Sequence, residues 1–239
     1  MASLARVLGV LLCSGCALGE GGFLVKVLPE ALSARLSAPA GRFSSDGWLQ
    51  TVEGFALRLE ALELEAEGLT LLGAAAPRLT LTVGGPVPVA TRAPTTPLGS
   101  VPLVHCLPAC GLEAGPVEAA IVPLVRLRAR GAVRDALGQR LPEETALALE
   151  LPLGPDELVL RHRLGLQLDR RAPPQLVVRA LIEVPAGLAD GVDWARLPRR
   201  QGVLCLRDAP PCEDAAAAAR LRHNLSASLL AVELAPAEP

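Results

Sequence analysis

Hydrophobic and polar residues alternate along much of this chain, most clearly between Glu157 and Val184. In the first arm of this stretch every second residue is a leucine, with one histidine among them. These residues are Leu158, Leu160, His162, Leu164, Leu166 and Leu168. The second arm repeats the alternation from Leu176 to Val184. A period of two is typical of a strand that buries one face. We therefore predict that the two arms form a β-hairpin with one core face and one solvent face, turning at residues 170–174.

Shorter alternating segments predict further strands, at Phe23–Leu28, Leu79–Val83, Val125–Ala129 and Leu147–Leu153. A turn is expected around Leu137–Gln139, between the last two of them. Another segment starts at Phe55, and its apolar residues change parity near Ala61 and Leu62. One extra residue in a strand shifts every following side chain to the other face. The shift predicts a β-bulge or a break between two strands at this point.

One helix is predicted late in the chain, at Glu213–Asn224, because this segment carries five alanines and has acidic residues at its start. A final strand is predicted at Ser226–Leu234. Pro185–Leu197 is expected to form a short helical or looped insertion. Many short strands with one late helix favour a mainly β protein, a single antiparallel β-sandwich over residues 20–239.

A proline-rich segment spans residues 84–102 and contains Pro86, Pro88, Pro94, Pro97 and Pro102. Proline donates no ladder hydrogen bond, so we interpret this segment as a long connection rather than a central strand. The part of the chain before it is too short to be stable as an independent domain. The connection is therefore expected to lie within one domain.

The amino-acid composition narrows the range of functions that this chain can have. Of the 239 residues, 51% are hydrophobic, and the formal net charge is -2, so a folded chain is expected. Aromatic residues make up only 2% of the sequence. Single-stranded nucleic acids are bound by stacking aromatics beside a basic groove, so nucleic acid is not an expected partner.

The first 19 residues have the features of a signal peptide: Arg6, a short apolar run from Val7 to Leu12, and then small residues. We predict an extracytoplasmic protein, periplasmic or anchored to a membrane. Cleavage before Glu20 is one possibility. The other is a bacterial lipobox at Leu12–Cys16 with Cys16 as the lipidated residue, although Cys13 departs from the usual leucine.

Without Cys13 and Cys16, an even number of cysteines remains: Cys106, Cys110, Cys205 and Cys212. Outside the cytoplasm an even set favours disulfides. Of the three possible connectivities we prefer the local one, Cys106 with Cys110 and Cys205 with Cys212, because each pair brackets a loop that contains proline.

The segment His105–Gly115 is predicted to be a loop, and it holds the strongest candidate for a metal site. Imidazole and thiolates at His105, Cys106 and Cys110 have a spacing that suits copper or zinc. The competing interpretation is an oxidised Cys106–Cys110 pair beside an unrelated histidine. His162 is expected to be a core histidine with a structural hydrogen bond.

Two charged rows have period-two spacing: Glu63, Glu65 and Glu67, and Arg126, Arg128 and Arg130. If their strands are neighbours, they form cross-strand ion pairs. If not, the glutamates are candidates for calcium and the arginines for an anionic partner or a lipid headgroup. Asp190 and Asp193 are expected to lie in a turn with capping carboxylates, with a cation site as the alternative.

None of the motifs that define common catalytic or phosphate-binding sites occurs in the sequence, so we predict no enzyme and no catalytic residue. Three features together resemble secreted lipoproteins of unassigned function from GC-rich Gram-negative bacteria: Asp46–Trp48, Asp190–Trp194 and the alanine-rich helix before a last strand. The resemblance implies an envelope location and a β-rich fold, and it implies no activity.

The leading hypothesis is a non-enzymatic cell-envelope lipoprotein. It would act as a binding or accessory subunit for another envelope protein or component, with contact to the membrane through its lipid anchor and with no cofactor. The alternative is a periplasmic metal-binding or metal-delivery protein that uses the loop with His105, Cys106 and Cys110.

Overall fold

The structure is a computed structural model that describes residues 24–39, 41–74, 76–91, 99–107, 110–141, 143–154, 158–169, 171–172 and 175–237, without the side chains of residues 104–107. Cys13 and Cys16 lie outside these ranges. The described residues form 16 strands and one α-helix. The strands are β1 (Leu24–Ser37), β2 (Leu49–Gln50), β3 (Phe55–Ala66), β4 (Gly68–Leu72), β5 (Pro77–Val83), β6 (Val87–Ala90), β7 (Ser100–Val101), β8 (Leu103–Leu107), β9 (Gly111–Glu113), β10 (Gly115–Asp135), β11 (Thr145–Pro152), β12 (Val159–Leu168), β13 (Gln175–Pro185), β14 (Arg199–Arg200), β15 (Val203–Leu206) and β16 (Leu229–Pro236). The predicted mainly β fold with one late helix is confirmed.

The longest strand, β10, belongs to two parts of the sheet. Its first half pairs antiparallel with β4 and β12, in one part that also contains β5 and β8. Its second half pairs antiparallel with β3 and β11, and parallel pairing of β11 with β15 extends this second part. The interior of β10 is apolar, with Val117, Val122, Leu124, Leu127 and Val133 at most 1% exposed. The strand therefore supplies core residues to both parts.

A third part of the sheet is built on β1. Strand β6 lies between β3 and β1, and β1 pairs parallel with β13, which in turn pairs antiparallel with β16. The pairs β1–β13, β1–β6 and β11–β15 are parallel. The sheet is therefore mixed, and the expectation of an antiparallel fold is only partly right.

The predicted hairpin between Glu157 and Val184 does not form, although both arms are strands. Strand β12 pairs with β10, whereas β13 pairs with β1 and β16. The burial pattern of the first arm is as predicted, with Leu160 and Leu168 buried and Arg161 and Arg163 exposed. Alternation reports which face of a strand is buried, and it contains no information about the neighbouring strand. This is why the faces were predicted correctly and the pairing was not.

The predicted β-bulge is present in β3, one residue before the expected position. Arg130 pairs with Ala61 and Gly131 pairs with Leu59, so Glu60 is the extra residue. Phe55 and Leu57 are buried before the bulge, and Leu62 and Leu64 are buried after it. The bulge brings the backbones so close that a Cβ at Gly131 would lie 1.9 Å from the carbonyl oxygen of Arg58. Only glycine fits there without movement of the backbone.

Two predicted loops contain strands. The proline-rich segment 84–102 includes β6 and β7, and β6 occupies the central position between β3 and β1. Pro88 is tolerated because β6 has only four residues, with Val87 and Val89 buried on the other face. The segment His105–Gly115 contains the end of β8, the short strand β9 and the start of β10, so it is not a continuous loop.

The helix α1 (Ala215–Leu225) begins at Asp214, whose side chain accepts a hydrogen bond from the Ala217 amide at 3.0 Å. Two short 3-10 helices, Ala186–Ala189 and Trp194–Arg196, form the predicted insertion. The Trp194 side chain is 1% exposed, and its Nε1 donates to the Ala189 carbonyl at 3.2 Å. Trp194 and Leu221 of α1 share a small apolar cavity with the inner face of β3, β10 and β11. The inner face of these strands is thus covered, and their outer face is left to solvent.

Candidate functional site

The outer face of β3, β10 and β11 carries a row of arginines along its central strand. Arg126, Arg128 and Arg130 alternate with buried residues of β10, so all three point to the outer face. Arg128 lies opposite Glu63 of β3 and opposite Glu150 of β11. The two charged rows noted in the sequence are therefore neighbours, and the expected cross-strand pairing is present in part, between Glu65 and the two arginines Arg126 and Arg128.

A shallow groove with a volume of about 400 Å³ crosses this face. We call it the arginine groove and define it by the polar and small side chains that line it: Ala61, Glu63, Arg128, Arg130, Ala148, Glu150 and Arg207. Its depth comes from alanines, because Arg130 has Ala61 on one neighbouring strand and Ala148 on the other. Three arginines face two glutamates, so the lining has an excess of positive charge.

The ion pairs of this face are long. Arg128 lies 3.6 Å from Glu65 and 3.5 Å from Glu150. Arg126 lies at 3.6 and 3.7 Å from the same two carboxylates, and Arg207 lies 3.7 Å from Glu150. A hydrogen bond between nitrogen and oxygen requires about 2.7 to 3.2 Å. The glutamates therefore balance part of the charge without occupying the N–H donors of the guanidinium groups.

Two arginines elsewhere on the surface are bonded more closely. Arg222 donates to both carboxylate oxygens of Asp208 at 3.0 Å, and Arg35 donates through Nε to Glu183 at 2.9 Å. Within the described part of the chain, by contrast, no side-chain hydrogen bond is donated by Arg126, Arg128, Arg130 or Arg207, and Arg130 has no ion pair. The arginine groove is therefore a place where guanidinium donors face solvent with little competition from the protein.

At one end of the same face an indole lies beneath two arginines. The Trp48 side chain is 2% exposed, and the guanidinium carbons of Arg134 and Arg58 lie 4.2 and 5.0 Å from its ring centre. The face of the indole ring attracts a guanidinium electrostatically, so these cation–π contacts stabilise both arginines above the ring. Trp48 follows a turn at Ser44–Gly47, in which Gly47 has a φ of 83°. The arginine row is thus continued by Arg134 at this end, over an aromatic base.

The turn between β10 and β11 is held by a buried carboxylate. The Asp135 side chain is 0% exposed and accepts hydrogen bonds from the amides of Leu137, Gln139 and Arg140 and from the Arg140 guanidinium. The side-chain and backbone hydrogen bonds from Arg140 hold the pKa of Asp135 far below its usual range. Because this turn sets the register of β10 against β11, it also places Glu150 beside Arg128.

The predicted cysteine sites have different outcomes. Cys205 and Cys212 form a disulfide, and both are buried, as predicted for this pair. Cys110 is disulfide-bonded. The side chains of His105 and Cys106 lie outside the described residues, so the pairing of Cys106 and the metal alternative stay predictions. No group of three or more potential metal ligands occurs among the described side chains.

The carboxylate of Asp190 binds protein groups. It forms an ion pair with Arg42 and accepts a hydrogen bond from the Val52 amide at 3.1 Å, which ties the loop to the turn before β3. Asp193 precedes the second 3-10 helix without a side-chain capping bond, contrary to expectation, and it pairs with Arg196 at 3.2 Å. Both carboxylates therefore contact protein groups, which gives the loop a structural role, and the cation alternative stays a prediction.

Two further residues, His162 and Asn224, are partly buried. His162 lies half-buried on the inner side of β12, and its side chain makes no hydrogen bond among the described residues, so the expected core histidine with a structural hydrogen bond is not seen. Asn224 and Ser226 match the pattern of an N-glycosylation site. However, the Asn224 side chain donates to the carbonyls of Leu188 and Asp190 at 3.0 and 2.6 Å. The Asn224 side-chain amide therefore joins α1 to the insertion and uses its N–H donors within the protein.

Sequence reasoning missed Glu150 and Arg207. A signal for Glu150 was present, because Arg128 and Glu150 lie equally far from Gln139, where a turn was predicted. In an antiparallel hairpin, residues at equal distance from the turn face each other. No such signal exists for Arg207, since it follows β15, which reaches β11 by a parallel crossover.

Comparison with known protein families, with curated proteins and with solved structures finds no match to this chain. In the ranges that the structure describes, no helix is both long enough and apolar enough to cross a membrane.

Proposed function

We propose that this protein is a non-enzymatic cell-envelope lipoprotein that acts outside the cytoplasm as a binding or accessory subunit for another envelope component. The arginine groove is the observation that carries the binding role. Its guanidinium donors are loosely balanced by Glu65 and Glu150, and Arg128 and Arg130 are held on β10, which is paired with a strand on each side. Rigid placement lowers the entropic cost of ordering a binding surface.

The compartment is supported by the disulfide chemistry. The Cys205–Cys212 disulfide is buried, and Cys110 is also disulfide-bonded. Such bonds persist in oxidising compartments and are rare where thiols are kept reduced. This agrees with the signal peptide predicted over residues 1–19 and with lipid attachment at Cys16.

The test is the intact mass of the protein extracted from its native envelope, together with fractionation of two matched variants. Cys16→Ala is expected to release a folded protein from the membrane fraction, whereas Cys13→Ala is expected to leave it anchored. An acylated mass that begins at Cys16 supports the proposal. A full-length mass in the cytoplasmic fraction, or retention of the Cys16→Ala variant in membranes, counts against it.

A further inference from the structure

The arginine row on β10 has the spacing of an extended peptide. Alternate residues of a strand are about 6.8 Å apart, since each residue of a strand rises about 3.4 Å. Arg126, Arg128 and Arg130 occupy three successive outward positions of this kind. An extended chain lying along β10 presents its own alternate side chains at the same interval. The row therefore matches a ligand with charged groups at every second residue.

The guanidinium groups of the arginine row determine that the charged groups of such a ligand are negative. A guanidinium presents a planar fork of N–H donors that fits a carboxylate with two parallel hydrogen bonds. At Arg128 the existing carboxylates stay 3.5 and 3.6 Å away, and Arg130 has no ion pair among the described residues. A carboxylate that comes within hydrogen-bond distance thus gains bonds that Glu65 and Glu150 do not make.

The shape of the groove favours a segment of protein over a compact ion. The groove reaches across β3, β10 and β11, and its small residues Ala61 and Ala148 flank Arg130 on both sides. Arg207 stands at the β11 side of the groove, beyond Glu150. A side chain descending between the alanines reaches Arg130 and has Arg128 and Arg207 beside it.

We infer that the arginine row of β10, together with the adjoining arginine groove, binds an extended acidic segment of a partner protein, with acidic side chains at alternate positions opposite Arg126, Arg128 and Arg130. The inference rests on the proposed binding role and names the chemistry of the partner. Glu150 has a defined part in it, because it balances Arg126, Arg128 and Arg207 in the absence of a ligand and competes with the incoming carboxylates.

The experiment measures fluorescence anisotropy of labelled peptides with the full mature chain. The probe is a peptide in which glutamate and threonine alternate. The comparison peptides have glutamine in place of glutamate, or the same glutamates in one contiguous block. The alternating acidic peptide is expected to bind most tightly, and the glutamine peptide is expected not to bind. Binding should weaken with added salt, since the groups are partly exposed.

Substitutions of the arginines and of Glu150 are expected to change the affinity for the peptide in opposite directions. Arg130→Gln and Arg207→Gln should each weaken binding about ten-fold, the loss expected for a charge-assisted hydrogen bond. Glu150→Gln removes the competing carboxylate at constant shape and should tighten binding about three-fold. Arg35→Gln is the matched control, because Arg35 is an exposed arginine that is hydrogen-bonded to Glu183 on a different part of the sheet. It should leave binding unchanged. Thermal unfolding of each variant checks that the fold is retained.

Three results would overturn the inference. The first is no binding of the alternating peptide by a folded protein. The second is an equal loss in Arg35→Gln and Arg130→Gln, which indicates non-specific attraction. The third is Arg130-dependent binding to vesicles of phosphatidylserine and phosphatidylcholine in the absence of peptide binding, which identifies a lipid surface as the ligand. None of these results bears on anchoring at Cys16, so a failure of this inference is distinguishable from a failure of the proposed lipoprotein anchoring.

Discussion

Substitution of Gly131 by alanine tests the backbone geometry on which the arginine groove is built. The added Cβ would lie 1.9 Å from the carbonyl oxygen of Arg58, 3.0 Å from its carbonyl carbon and 3.2 Å from the Cα of Leu59. Ordinary contacts between carbon and oxygen are about 3.3 Å or longer, so β3 and β10 must separate by about 1.4 Å. All three neighbouring atoms belong to the backbone, and no side-chain rotation relieves the clash.

The expected loss of stability in Gly131→Ala has two sources. Overpacking of a well-packed interior costs about 1 to 3 kcal/mol. Separation of the strands also lengthens ladder hydrogen bonds next to the bulge, each with a net value of about 0.5 to 1.5 kcal/mol. We expect a total loss of about 2 to 4 kcal/mol in the free energy of unfolding. For a chain of this size that loss lowers the melting temperature by about 5 to 15 °C.

The assay is thermal and denaturant unfolding followed by circular dichroism, with Gly73→Ala as the matched control. Neither glycine has a positive φ, and the nearest atoms to the Cβ of the control are the Cδ and Cγ of the Arg78 side chain, at 2.8 and 3.1 Å, rather than backbone atoms. Side-chain atoms shift more easily than a paired backbone, so the expected loss for the control is smaller, about 1 kcal/mol. If Gly131→Ala were as stable as Gly73→Ala, the close approach at the bulge would be refuted as a requirement of the fold.

Four further predictions concern the core and the turns. Deletion of Glu60 removes the bulge and moves one half of the buried residues of β3 to solvent, so we expect no cooperative unfolding transition from the purified variant. Simultaneous replacement of Cys205 and Cys212 by alanine opens a loop with a sequence separation of 7. It should cost about 2.5 kcal/mol, measured as a lower denaturation midpoint relative to the oxidised parent. Trp194→Ala should cost about 3 to 5 kcal/mol and Trp194→Phe clearly less, in the same assay. The folded pKa of Asp135 lies below its ordinary value of 3.8, so its contribution to stability is complete above that pH and is lost as the pH falls below it. Denaturation midpoints of the parent should therefore approach those of Asp135→Asn in acid, and parallel curves would contradict this explanation.

Much of the local structure was predictable because it depends on local chemistry. The parity of Leu160 and Leu168, the bulge near Ala61 and the helix capped by Asp214 all follow from side-chain period or from capping preference. The Cys205–Cys212 pair was predictable for the same reason, since a short loop brings its ends together by itself.

The candidate site was predictable only in part. The charged rows of β3 and β10 were visible as period-two patterns, and the turn at Gln139 aligned Arg128 with Glu150. Arg207 and the two alanines beside Arg130 gained a role only through the register of three strands. The donor capacity of the groove depends on distances of 3.5 to 3.7 Å, which no sequence pattern specifies.

The sequence by itself determined which residues of each strand are buried, because burial follows from the alternation of apolar side chains. The tertiary structure alone decided which strands are neighbours. It separated the two arms of the expected hairpin, placed β6 with Pro88 between β3 and β1, and joined β1 to β13 in parallel. The physical reason is that any strand with one apolar face satisfies the same pattern. The choice among partners depends on the packing of the whole core, where many distant side chains contribute together.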